Sequence, residues 1–330
     1  MKLSPPRPCR PPYWALHGHL QTVIGSLWPA PPLTLPFTRL EIPLVDGDRL
    51  VVRCFASAHP LPQPIIACLF HGLGGHDDRP YIRRTVRLLN QRGVHVWTIN
   101  HRGCGIGRGF AKGTYHSGVA ADLGEVFAYA RQHSPQARIL GIGFSLSANA
   151  LLLNLGDGLR GPHPKPDAAI AVNPPVNLAR CSELISMRRH RIYDKSFIRT
   201  VLRSVREREA DGLIPRDKYP VHEAMTLQEF DDAFTAPASG FVDRHDYYAR
   251  CSAEPHLYRI ETPTVILHAE DDPLIDARDL RQARLGPGVH LQLEQHGGHL
   301  GYLCREQPSY RWLDYALGHF VDELRAGGHL

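Results

Sequence analysis

Short, continuous apolar runs alternate with helix-favouring stretches along most of this chain. The runs cover 64–70, 94–99, 138–141, 168–172, 264–268 and 289–293. Helical stretches fall at 81–91, 117–132 and 147–155. A strand that is apolar on both faces must be covered on both sides, so this order predicts a parallel sheet between two helical layers. Before the alternation starts, runs at 40–44 and 50–55 flank Asp46-Gly47-Asp48, a hairpin signal. The alternation breaks between about 176 and 260, where the chain turns polar and mostly helical, and then returns to a strand at Thr264. An insertion between two strands of one sheet reads as a cap over the strand ends. A last helix is expected at about 308–325, with Trp312, Leu313, Ala316, Leu317 and Phe320 on a core-packing face. Residues 1–36 are proline-rich and read as an irregular segment whose aromatics (Tyr13, Trp14, Trp28) pack it on the body. Residues 37–330 then form one α/β domain that includes the cap insertion.

One junction in this pattern carries chemistry. Gly141-Ile142-Gly143-Phe144-Ser145-Leu146-Ser147 joins an apolar strand to a helix through a sharp turn with Ser145 at its apex. This is nearly the G-x-S-x-G elbow that lifts a nucleophilic hydroxyl clear of a sheet. Ser147 stands where the second glycine is expected, a small-residue replacement at a close strand–helix contact that predicts mild strain. Acyl transfer also needs a base and an acid to orient it, here in the chain order serine, acid, histidine. Asp272 follows the strand at 264–268 and His299 follows the strand at 289–293, both at carboxyl ends where open α/β sheets place their sites. The choice of Asp272 over Asp271 or Glu270 rests on loop pattern. The choice of His299 over His296 rests on the intervening glycines. With 20 histidines in the chain, order and context carry that choice.

An oxyanion needs two backbone N–H donors. Leu146 follows the nucleophile and supplies one. The loop His71-Gly72-Leu73-Gly74-Gly75, at the end of an apolar strand, offers Leu73 as the other. The glycine cluster at 103–109 fails the dinucleotide register and reads as a turn-rich loop near the site. Asn100-His101-Arg102 either lines the site or stabilises a loop through a buried arginine. His76-Asp77-Asp78 and His245-Asp246 lack companions at metal spacing, so no metal site is expected.

These segments together resemble the AB hydrolase 4 family of the α/β-hydrolase superfamily, which includes YheT-like hydrolases and carboxylesterases. The likeness runs through Gly18-His19-Leu20-Gln21-Thr22, Phe70-His71-Gly72-Leu73-Gly74-Gly75, Asn100-His101-Arg102-Gly103-Cys104 and Tyr115-His116-Ser117-Gly118. It continues in Gly143-Phe144-Ser145-Leu146, Asp246-Tyr247-Tyr248, His268-Ala269-Glu270-Asp271-Asp272-Pro273 and His296-Gly297-Gly298-His299-Leu300-Gly301. The resemblance implies an α/β-hydrolase fold with a mostly parallel eight-stranded sheet, helices on both faces and a helical cap. It further implies a triad carried onto Ser145, Asp272 and His299, carboxylic-ester hydrolysis, lipid and other acyl esters included, and no cofactor. The family usually has Gly-Gly at Ser147-Ala148. Rival readings are a thioesterase or amidase with the same triad, or a non-catalytic binding protein on the same fold.

A formal charge of +5 spread along the chain, without a basic block, argues against nucleic acid. It leaves room for peripheral contact with an anionic membrane, although a solvated surface is the simpler account. No run approaches the roughly 18 apolar residues of a membrane span. Seven scattered cysteines without metal spacing, and no signal-like apolar stretch at the start, point to a cytoplasmic protein acting on a small-molecule ester.

Overall fold

The computed structural model describes residues 1–307 and 310–330. Eight strands form one sheet: β1 (Thr38–Pro43), β2 (Arg49–Phe55), β3 (Ile65–Phe70), β4 (His95–Asn100), β5 (Arg138–Phe144), β6 (Ala168–Val172), β7 (Thr264–Ala269) and β8 (Val289–Glu294). Their spatial order is β1-β2-β4-β3-β5-β6-β7-β8. The hairpin β1–β2 is antiparallel, and β2 meets β4 antiparallel; every pairing from β4 to β8 is parallel.

The uniform apolarity of the central strands has a plain structural outcome. All six residues of β3 are buried. They alternate between two cores: Ile66, Cys68 and Phe70 join one, and Ile65, Ala67 and Leu69 join the other. The first core is closed by α3 (Ala120–His133) and α4 (Leu146–Leu155), through residues such as Phe127 and Leu151. The second is closed by α2 (Pro80–Gln91) and α11 (Trp312–Ala326), through Val86, Trp312 and Phe320. A fully buried Phe or Leu contributes about 1.5–3 kcal/mol relative to an exposed one, so these layers carry the fold. Of the helix expected at 308–325, residues 308 and 309 lie outside the described residues, and the helix runs from Trp312.

Between β6 and β7 the chain forms α5 (Leu178–Ser186), α6 (Arg191–Ala210), α7 (Leu227–Phe230), a π-helical turn (Asp231–Thr235), α8 (Ala236–Ala238) and α9 (Arg244–Cys251). Starts are set by capping residues: Asn177 accepts from Arg180 N–H at 3.1 Å, Thr226 and Glu229 form a capping box, and Asp243 accepts from Asp246 N–H at 2.8 Å. Helices α5 to α7 share a core of their own around Ile198, Leu202, Phe230 and Phe234, which Leu274 and Ile275 of the loop after β7 enter, while α9 packs a smaller one through Tyr247, Tyr248 and Cys251 against Leu178. A short helix, α10 (Arg278–Gln282), follows that loop.

The N-terminal segment departs from the irregular structure expected of it. Residues Gly18–Leu27 form helix α1. Prolines flank this stretch but do not enter it, so nothing blocks its backbone bonds. Its buried face is not aromatic: Gly18, Gln21, Thr22 and Gly25 point inward, while Trp14 and Tyr13 remain exposed.

Candidate active site

The loop from β5 to α4 sets Ser145 at φ 54°, ψ −121°. This conformation is sparsely populated for a residue with a side chain and costs on the order of 1–3 kcal/mol, offset by its surroundings. Ser145 N–H donates to Val172 O of β6 at 2.8 Å, which ties the turn to the neighbouring strand. Two glycines make room. A Cβ on Gly143 would lie 2.7 Å from Ser147 O, and one on Gly72 would lie 3.0 Å from Ser145 Cβ. The close strand–helix approach therefore falls on Gly143 against the backbone of residue 147, and it places no demand for glycine at 147 itself.

Ser147 is consequently more than a tolerated replacement, and the mild strain expected there gives way to a satisfied polar network. Its buried Oγ–H donates to the carbonyl of His71. The same oxygen lies 2.7 Å from His101 Nε2 and 2.8 Å from Tyr115 Oη, both able to donate to it. The His101 and Tyr115 rings stack at 3.9 Å. Burial drives the pKa of His101 well down and pushes that of His71 down to about 4, so both rings are neutral and the network holds no uncompensated charge. It links the Ser145 turn to the start of the His71–Gly75 loop.

The structure brings Ser145, His299 and Asp272 into one chain of hydrogen bonds. Ser145 Oγ is 2.8 Å from His299 Nε2, and His299 Nδ1 is 2.8 Å from Asp272 Oδ2. A carboxylate only accepts, so Nδ1 carries the imidazole proton and Nε2 is left to accept from the serine hydroxyl. Burial alone would raise the pKa of Asp272. The facing His299 ring, its hydrogen bond and the Leu274 N–H at 2.8 Å outweigh burial and hold the carboxyl below its usual range. The adjacent acids are occupied elsewhere. Asp271 accepts from Gly298 N–H at 2.7 Å and faces His296, and Glu270 pairs with Arg281.

Two further residues complete this side: Asn173, which lies outside the sequence motifs, and Thr22, whose motif carried no assigned role. Asn173, at φ 48° after β6, donates through Nδ2 to Asp272 Oδ2 at 2.7 Å and to Gly298 O at 3.2 Å, while its Oδ1 accepts from Tyr302 Oη–H at 2.8 Å. Thr22 of α1 accepts from His299 N–H at 2.8 Å and donates to Gly18 O at 2.7 Å. Its neighbour Gln21 takes Leu303 N–H at 2.6 Å and returns a bond to Leu303 O at 3.2 Å. A Cβ on Gly25 would lie 2.5 Å from Gly301 Cα. Helix α1 is thus seated directly on the His299 loop.

Ser145 and His299 open into a cleft of about 1120 Å³, counting the solvent space at its mouth. Leu73 and Leu146 line it beside Ser145. Neither amide has a protein acceptor among the described residues. The far wall is apolar, with Leu178, Ile185, Phe197, Val201, Phe230 and Phe234. Asp231 is the carboxylate among the lining residues. Burial pushes its pKa up to about 6 despite the Tyr248 hydroxyl that donates to it at 2.7 Å. Arg102 both lines the cleft and ties loops together. It clasps Asp122 through two nitrogens at 2.7 and 2.8 Å and reaches Asp48 at 2.6 Å.

Comparison with known proteins places the chain in context. Residues 63–299 match the family described as "Serine aminopeptidase, S33". The chain is 32% identical over 292 residues to the "Putative esterase YheT" of Escherichia coli strain K12, across 86% of this chain and 84% of that protein. It is 25% identical over 332 residues to the "Phospholipase ABHD3" of Homo sapiens, across 97% of this chain and 80% of that one. Among solved structures, the Pyrococcus furiosus esterase Pf2001 aligns at TM-score 0.59 and 14% identity, over 89% of this chain and 96% of the other. At that identity the likeness is one of fold.

Proposed function

This chain belongs to the serine aminopeptidase S33 family of α/β hydrolases, and from that premise we propose that it cleaves carboxylic esters through an acyl-enzyme on Ser145. The observation that carries the reading is the uninterrupted run from Ser145 Oγ through His299 to Asp272, beside two unengaged amides.

In this reading His299 Nε2 takes the Ser145 proton as the hydroxyl attacks the ester carbonyl. The imidazolium so formed is stabilised by Asp272, which stays ionised. The developing oxyanion lies against the Leu73 and Leu146 N–H groups. His299 returns the proton to the leaving alcohol. A water molecule activated by the same histidine then releases the acid and restores Ser145. The helical insertion at about 176–260 acts as a cap that supplies the apolar wall for an acyl group. An ester fits this cleft better than a peptide with a free amino terminus. Among the described lining residues Asp231 alone offers a carboxylate, and one of its oxygens is already taken by the Tyr248 hydroxyl at 2.7 Å, while the remaining wall is apolar. The names of the esterase and phospholipase relatives support the same choice.

The test is turnover of p-nitrophenyl esters of graded acyl length by the wild type and by Ser145→Ala. A rapid burst of one nitrophenolate per wild-type chain, with turnover lost in Ser145→Ala by a factor on the order of 10⁶, is expected. No turnover of any ester by the wild type would favour a binding protein. Preferential cleavage of an amino-acyl anilide would favour a peptidase.

A further inference from the structure

Helix α1 is amphipathic in reverse. Its buried face is Gly18, Gln21, Thr22 and Gly25, whereas its aliphatic residues face solvent: Leu20 is 42%, Val23 40% and Leu27 76% exposed. Leu16, in the turn that precedes the helix, is 46% exposed. On the helix, Leu20, Val23 and Leu27 lie at spacings of three and four, which is one helical stripe. The inward face is fixed by its bonds to the His299 loop, so the helix cannot roll to hide the stripe. A contiguous exposed apolar stripe on a rigid helix marks an interaction surface.

What covers this stripe is indicated by its neighbour. His19 Nδ1 meets Tyr193 Oη of α6 at 3.0 Å, and the two rings stack at 5.7 Å. Next to Tyr193 stands Ile192, 74% exposed. Around it residues 187–203 carry Arg188, Arg189, Arg191, Lys195, Arg199 and Arg203, all exposed. Among the described residues none of these six takes part in an ion pair, as the ion pairs of this protein involve other cations. The acid in that stretch, Asp194, is buried and spent on Leu227 N–H at 2.8 Å. On the preceding helix, Glu183 is exposed. Unpaired cations on long stems, interleaved with protruding aliphatic tips, match a layer that is anionic at its surface and apolar just beneath. A soluble protein partner would need shaped pockets for these tips; a bilayer does not. Among the described residues no helix is long and apolar enough to cross a membrane, so the contact is peripheral.

We infer that the outer face of α1 and the adjoining basic face of α6 form a docking surface for an anionic lipid bilayer. The two elements also connect that surface to the cleft. The opposite side of α6 contributes Phe197 and Val201 to the cleft wall, and the opposite side of α1 holds the His299 loop. The docking inference stands independently of the ester reading, because it concerns binding alone.

The experiment is co-sedimentation of the full chain with vesicles of phosphatidylcholine and with vesicles of equimolar phosphatidylcholine and phosphatidylglycerol, at low and high salt. The expected result is binding to the anionic vesicles that weakens as salt screens the cations. Replacing Arg188, Arg189 and Arg191 together by Ala is expected to lower partitioning roughly a hundredfold, the scale for about three cations at an anionic surface. Leu20→Ser combined with Ile192→Ser, which leaves the charges in place, is expected to lower it about tenfold. All five positions are exposed or in the basic turn outside the core, and a thermal melt checks that each variant stays folded. Absence of wild-type binding to anionic vesicles at low salt would overturn the inference. So would equal binding to both vesicle types, or partitioning unmoved by either variant. A wild type that elutes as a dimer which Leu20→Ser and Ile192→Ser dissolve would assign the face to a second copy of the chain instead.

Discussion

The two sides of the proposed reaction centre are held in different ways. Ser145 is fixed by its own strand, turn and helix: its backbone angles, the bond from its N–H to Val172 O in the next strand, and two glycines that give it room. His299 is fixed by parts brought from afar. Its N–H reaches Thr22, 277 residues away in sequence, its ring reaches Asp272, and Asp272 is held in turn by Asn173. The Ser145 side, the proposed nucleophile, is therefore set by local backbone geometry and the His299 side, the proposed base, by assembled side chains. Damage to the first should reach stability or abolish chemistry outright, while damage to the outer parts of the second should lower rate by degrees.

Graded substitutions can break or sharpen this contrast. Asp272→Asn keeps the shape but presents an amide to His299 Nδ1 and favours the wrong tautomer. A fall in kcat on the order of 10⁴ is expected, measured with any good ester substrate. Thr22→Val leaves the His299 N–H without its acceptor, a loss of about 1–3 kcal/mol in a buried position. The expectation is a roughly tenfold or greater drop in kcat with KM nearly unchanged, and recovery in Thr22→Ser. Equal kcat in Thr22→Val would show that α1 does not position the base.

Ser147→Ala makes the converse test on the elbow side. It strips a shared partner from His71 O, His101 and Tyr115, so denaturant unfolding should show a loss of about 1–3 kcal/mol, with kcat changed less than in Thr22→Val. The last expected effect concerns the cleft wall and shows only in the pH dependence of stability, leaving the chemistry unchanged. The folded-state pKa of Asp231 is raised to about 6 by burial, above its unfolded value, so the folded state binds this proton more tightly. Its stability contribution is present below about pH 4 and is lost as pH rises to about 6, by up to about 3 kcal/mol. Asp231→Asn should flatten that slope in unfolding experiments between pH 4 and 7. An identical slope in wild type and variant would place the pH dependence elsewhere.

The sequence made the sheet legible because its central strands are apolar on both faces, which no solvated strand would be. The Ser145 turn was legible for a related reason: strand, small residues and helix are contiguous, so the geometry is written in one short stretch. The acid was less so. Glu270, Asp271 and Asp272 are adjacent, and only the path of the backbone decides that Asp272 meets His299 while Asp271 meets Gly298. Ser147 looked like a flaw in a motif because the motif assigns the close contact to position 147, whereas the backbone places it at Gly143. Helix α1 stayed hidden among prolines. Its stripe of Leu20, Val23 and Leu27 was a usable helical signal, yet the usual rule would have buried that face. Tertiary bonds from Gln21 and Thr22 turned it outward.

The account depends most on Ser145 being the nucleophile activated by His299. Reaction with a fluorophosphonate, followed by intact mass and peptide mapping, tests this directly. One adduct per chain on the Ser145 peptide is predicted, absent in Ser145→Ala and formed far more slowly in His299→Gln. An adduct on Ser147 or another serine, or undiminished labelling of Ser145→Ala, would contradict it.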